Sequence, residues 1–482
     1  MYINERKNLF HKPNRASNPY LIMLILLCVV IVAAVMRDYA SGKIWPPFIP
    51  TPTPTRTVNS FLVEGDTHFQ AGNLDAAIDS YNKAILLEPE NIDLRVKLAR
   101  IQVYSSASLT TDQERRDRLA DALAIVDEAR EKAPNNADVL AIRSLVLNWS
   151  ANPTLAGERT TELRNAAEAD ALAAIQLDSR NALAKAYYAE VLIDQFKWGQ
   201  AQDYIAQARQ NGEDLMDVRR VQAFVYEVLK EYNLAIEWYQ KAIDINPNLT
   251  FLYIRVGTLY RHIGGDVNFE IALEYFAKAA NLNSQLGIED PIPYMAIANT
   301  YIRMGEAMVA SRNAYRALSI NPYNPATYGQ VGFIYYRARN YEGAEMVLKC
   351  AVTGCTAEES CLAREEDPCE SNITTEALPL SDTTVVYYYI YGSVLAGLHR
   401  KGQDDRCAIA SEVFKQVREV YYDLDNEFSR IVLGIVSASE NICGITPGQV
   451  FRTPVPTQDL ISTPTPQPTE TPFIIPTITP TP

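Results

Sequence analysis

The chain has 482 residues, of which 48% are hydrophobic, and a formal net charge of −14. That acidity excludes a general nucleic-acid binder, which needs a basic face, and agrees with plain solubility. At roughly 150 residues per domain the length suits about three domains, unless the chain grows by repetition.

The first predicted element is a membrane anchor. Residues 1–19, read as a cytoplasmic tail, carry Arg6, Lys7, Lys12 and Arg15 against Glu5 alone. Residues 20–36, YLIMLILLCVVIVAAVM, hold no charge and predict a transmembrane helix. At 1.5 Å per residue this run is about 26 Å long, near the low end for a bilayer core. It exceeds the usual apolar core of a cleaved signal peptide, which favours an uncleaved anchor. The positive flank predicts a single pass with the N-terminus cytoplasmic and the bulk extracytoplasmic. Residues 44–57, IWPPFIPTPTPTRT, follow. Proline fixes φ and lacks a donor, so this stretch predicts an extended stalk of polyproline II type.

From residue 58 to 351 a period of 34 organises the chain. Ala189, Ala223 and Gly257 stand 34 apart, as do Ala201 and Ala235, Ala298 and Gly332, and Ala310 and Ala344. A period of this length marks an array of like units that bury their apolar faces only by stacking. In the first unit Gly65 and Phe69 share one helix, Gly72-Asn73 makes a turn, and Ala77, Tyr81 and Ala84 mark a second helix closed by Pro89. The small residues are expected where two helices cross closely. The second and third units are stretched: Ala99 to Ala122 and Ser144 to Ala167 each span 23 residues where about 12 would match the first unit. Longer loops or extended helix ends are expected there. The beat is regular from Ala182 to Ala351.

Residues 352–384 interrupt the array with an acidic, cysteine-bearing insertion. Residues 385–443 are read as a degenerate repeat and a capping helix, with VVYYYIY at 385–391 as a partly buried first helix. Residues 444–482 form a second Pro/Thr-rich tail, expected to be disordered or extended. Cys350, Cys355, Cys361, Cys369, Cys407 and Cys443 all fall in the last third. An even, clustered set in an exported domain points to disulfides, with 15 pairings open. Cys407 and Cys443 are placed to tie the capping helix to the last repeat. The spacings do not match compact zinc ligands, and no metal or cofactor is expected.

The placement of Gly65, Gly72, Ala77, Tyr81, Ala84 and Pro89, repeated in later units, resembles a tetratricopeptide repeat. The resemblance implies an all-α, right-handed superhelical solenoid of antiparallel helix pairs, here preceded by one transmembrane helix and flanked by Thr/Pro-rich linkers. It implies a binding groove lined by the first helix of each unit. Those positions hold Arg220, Arg261, Asn299, Arg303, Tyr336 and Arg337, a basic, aromatic strip suited to a protein or peptide partner of acidic character. The positions of a chaperone-tail clamp hold Val63, Lys97 and Ile142, which do not support that ligand. No HExxH, GxSxG, Walker A or GxGxxG motif is present, and no catalytic residue is expected.

The expected function is a membrane-anchored, non-enzymatic scaffold that binds protein partners at the extracytoplasmic surface. The rival readings are an accessory subunit of a cell-envelope enzyme, or a cytoplasmic chaperone-like adaptor on a reversed anchor.

Overall fold

The computed structural model describes residues 18–41, 56–424 and 426–444. Most of the expected cytoplasmic tail, nearly all of the stalk and nearly all of the C-terminal tail lie outside the described residues. The chain divides into two units, Met1–Thr57 and Val58–Pro482.

In the first unit, helix α1 (Pro19–Ala40) is longer than the uncharged run and takes in Arg37 and Asp38. Its stretch Pro19–Asp38 has a mean hydropathy of 2.9 and buries none of its surface within the protein. Length and composition suit a bilayer crossing, and a signal sequence has the same character.

The second unit is all-α. Its helices come in antiparallel pairs: α2 (Val58–Ala71) with α3 (Leu74–Leu87), α4 (Ile92–Ser106) with α5 (Asp112–Lys132), and α6 (Ala137–Ser150), then the short α7 (Pro153–Ala156), with α8 (Thr160–Leu177). The regular block follows as α9 (Ala182–Asp194) with α10 (Trp198–Gly212), α11 (Met216–Val228) with α12 (Tyr232–Ile245), and α13 (Thr250–Ile263) with α14 (Asp266–Gln285). It ends with α15 (Ile292–Met304) and α16 (Ala307–Ile320), then α17 (Pro325–Arg337) and α18 (Tyr341–Val352). After the short α19 (Ala357–Ala363), α20 (Val385–Leu398) pairs with α21 (Arg406–Tyr421), and α22 (Glu427–Ile442) closes the array.

The 34-residue beat has a steric cause. A Cβ on Gly65 would stand 3.0 Å from the Tyr81 ring, and one on Gly257 would stand 2.6 Å from Phe276. Gly332 meets Leu348 and Gly392 meets Phe414 in the same way. Where the small residue is Ala189 or Ala223, its counterpart on the second helix is Ile205 or Tyr239, and all four are buried. Helix starts repeat too. Asn91, Asn136, Asn181 and Asn324 each accept a first-turn backbone N–H, a cap contributing about 1 kcal/mol.

Both expectations for the stretched units are met at once. Their second helices, α5 and α8, have 21 and 18 residues, against 14 in α3. Residues 107–111 before α5 form a loop, and the Thr111–Glu114 capping box starts that helix, whereas before α8 the extra residues form the short α7 and a 3-10 turn, Gly157–Arg159. VVYYYIY opens α20 and is mostly buried, with Tyr387 seated against Gly329. In the insertion, Cys355 and Thr375 form an isolated antiparallel bridge; there is no longer strand among the described residues. The six cysteines stand in three pairs, Cys350–Cys355, Cys361–Cys369 and Cys407–Cys443. The last pair brings the start of α21 beside the residue that follows α22.

Candidate interaction surface

The first helices of successive pairs share an inner face, and the structure divides it into a closed part and an open part. In the closed part the array turns back on itself. Asn248 Nδ2 donates to the Gln70 carbonyl at 2.8 Å, bridging residues 178 positions apart. Asn324 Nδ2 donates to the Thr110 carbonyl at 2.7 Å, and Asn321 donates to the Thr110 hydroxyl. The loop between α4 and α5, long because of the insertion, thus braces the corner between α16 and α17.

Between these seams the inner face is filled by a polar and aromatic cluster. Asp217 of α11 is 1% exposed. It accepts from Arg100 and Tyr104 of α4 and from Tyr187 of α9, the last at 2.7 Å. Burial would raise the Asp217 carboxyl, but the Arg100 charge and hydrogen bond and the two hydroxyls hold it below the usual carboxylate range. Arg220 grips Glu190 of α9 through both terminal nitrogens, at 3.0 and 2.6 Å, and Trp149 Nε1 donates to the same carboxylate at 3.0 Å. The Tyr104 ring stacks on Phe251 at 5.5 Å and meets Trp149 edge-on at 6.0 Å. With charges paired and donors mostly satisfied, this cluster works as core rather than as a ligand face.

Arg220, expected on an open groove, is therefore 5% exposed and committed to Glu190. The cause is the closure, which brings α4 and α11 together across 117 positions. Arg261 is also buried, at 6% exposed, at the end of α13. Its Nη1 donates to the Ala296 carbonyl at 3.2 Å, and the guanidinium lies 5.4 Å from the centre of the Phe276 ring. Arg303, on the last turn of α15, is exposed and donates to the Arg261 carbonyl at 3.3 Å. Asn299 is half-buried on the same helix. On α17, Tyr336 is half-buried with its ring 5.9 Å from Tyr341, and Arg337 is exposed. The structure brings Arg261 and Arg303 together and gives Arg220 no hydrogen bond to the other five.

Sequence reasoning missed Asp217, Glu190, Tyr104 and Tyr187. A signal existed: each sits at an inner-face position of its repeat, and the acids balance Arg100 and Arg220. Which acid meets which base depends on the superhelical turn.

Two family models match the chain. A TPR repeat model matches residues 65–103, and a tetratricopeptide repeat model matches residues 222–249. No curated protein matches the sequence. Solved structures similar to the chain include a thermophilic TPR protein of Thermus thermophilus, at 18% identity and a TM-score of 0.34, covering 42% of this chain and 98% of that one. Another is YrrB, a TPR protein with an unusual peptide-binding site, at 19% identity and a TM-score of 0.31, covering 45% and 97%. An APC/C hetero-tetramer matches at 14% identity and a TM-score of 0.44, covering 80% and 78%. Both model matches lie on helix pairs of the array, so the chain carries tetratricopeptide repeats.

Proposed function

We propose that this protein is a membrane-anchored scaffold that holds partner proteins or peptides on the inner face of its later repeats, on the extracytoplasmic side. The division of the inner face carries this reading. From α2 to α11 the face is occupied by the protein's own side chains, whereas Asn299, Arg303, Tyr336 and Arg337 on α15 and α17 stay partly or fully exposed. Arginine and tyrosine are the residue types that carry binding energy at interfaces.

The apolar α1 supports anchoring, and the basic residues before it support a cytoplasmic N-terminus. Three cysteine pairs in the repeat unit suit an oxidising compartment. The topology is tested by adding protease to intact cells. Cleavage beyond residue 56 without cleavage of the N-terminal tail is the expected result. The converse would reverse the anchor and favour a cytoplasmic adaptor.

A further inference from the structure

We propose that Arg261 and Arg303 form an anion site that receives a carboxylate of a bound peptide. This rests on the scaffold reading and names the chemistry its open face selects.

Among the described residues Arg261 is one of three arginines that the fold buries, and the other two have a carboxylate: Arg95 meets Glu128 at 2.8 Å, and Arg220 meets Glu190 at 2.6 Å. Arg261 is as buried as these and has no ion pair among the described residues. Glu227, the acid at the neighbouring repeat, is already engaged by Arg255 at 3.4 Å and by the Tyr239 hydroxyl at 2.8 Å. Arg303 also lacks an ion pair among the described residues, and it brings a second positive charge to Arg261.

Burial, and then the Arg303 charge, push the Arg261 guanidinium down to about 10. Each arginine lies in the last turn of its helix, where the dipole favours a cation. That effect is weak and screened, whereas taking an arginine from water without a counter-charge costs far more. Among the described residues the Nε and Nη2 of Arg261 have no acceptor, and neither is a fully buried unpartnered atom. A guanidinium with donors to spare, on a residue whose carbonyl takes the Arg303 guanidinium at 3.3 Å, suits an oxyanion. Asn299, half-buried on α15, supplies a polar neighbour for a peptide backbone.

The test uses the full chain in detergent micelles, with three probes followed by calorimetry: a short Glu-rich peptide, its Gln-substituted and amidated counterpart, and inorganic phosphate. The Glu peptide should bind at least about ten-fold more tightly than the Gln peptide. Arg303→Gln, at an exposed position, should weaken it by about ten-fold, and Arg261→Met should abolish binding while leaving Tm equal or higher. Equal affinity of the two peptides, or of the parent and Arg303→Gln, would overturn the proposal. Phosphate binding as tightly as the Glu peptide would overturn the peptide assignment. If partners cross-link to the parent and to an Arg261→Met/Arg303→Gln double variant alike, the anion site fails while the scaffold stands. If nothing cross-links to the parent, the scaffold reading itself fails.

Discussion

Gly72 meets two constraints. Its φ is +83°, and a Cβ there would collide with the Asn248 carbonyl on the far side of the seam. Gly305 has the same φ at the equivalent turn, but a Cβ there would meet nothing within 4 Å. Gly305→Ala should therefore cost only the left-handed penalty, about 1 kcal/mol, whereas Gly72→Ala adds a clash and should cost about 2–4 kcal/mol. Thermal unfolding reads the difference, and only Gly72→Ala should speed hydrogen exchange at residues 246–250. Phe196, Lys230 and Arg339 occupy this same turn with positive φ. The glycine preference is thus visible in the sequence only where it was kept. Asp290 carries a pH effect. Buried, it accepts from the Ile292 N–H at 2.9 Å and from Asn283 at 2.8 Å, and burial pushes its carboxyl up to about 6. The folded state then holds a proton that the unfolded chain loses near pH 4, so stability falls as pH rises from about 4 to 6. Asp290→Asn removes that loss. Melting curves should show the variant gaining on the parent by about 1–3 kcal/mol between pH 4 and pH 7. A constant offset across that range would contradict the assignment.

Among the elements, the capping helix shows how local signals and covalent ties combine. Helix α22 buries Val432 and Val436 against the last pair and leaves Phe428 and Ile431 exposed. Arg418 of α21 grips Glu440 at 3.0 and 2.5 Å, and Cys407–Cys443 joins the same two helices. Cys443→Ser paired with Cys407→Ser should cost about 2–4 kcal/mol, since the loop closed by the bond regains its unfolded-state freedom. Hydrogen exchange should accelerate across α22 and leave α2 to α8 unchanged. Much at this scale was legible in the sequence: the Gly/Ala beat, the stretched second and third units and the apolar start of α20. These are contacts within a pair or between neighbours. The strip of inner-face arginines was only half legible. Arg261 and Arg303 come from adjacent pairs and do meet, whereas Arg220 was drawn into the core by Glu190 and by the return of α4.

At the scale of the whole repeat unit, the decisive contacts are those between distant pairs. Asn324 reaches Thr110 across 214 positions, and Arg100 reaches Asp217 across 117. They depend on the pitch of the superhelix, which accumulates small rotations per repeat and leaves no local pattern in the chain. The proposed function follows from them: the closed cluster withdraws the earlier inner face and leaves that of α15 and α17 as the proposed binding face. The most direct measurement of this claim is site-specific photo-cross-linking of the full chain in cells that express it. A photoreactive residue is placed at Asn299, Arg303 or Arg337 on the inner face, and at Gln207 on the exposed side of α10. The account predicts partner adducts from the three inner positions and none from Gln207. Adducts from Gln207, with none from the inner positions, would contradict it.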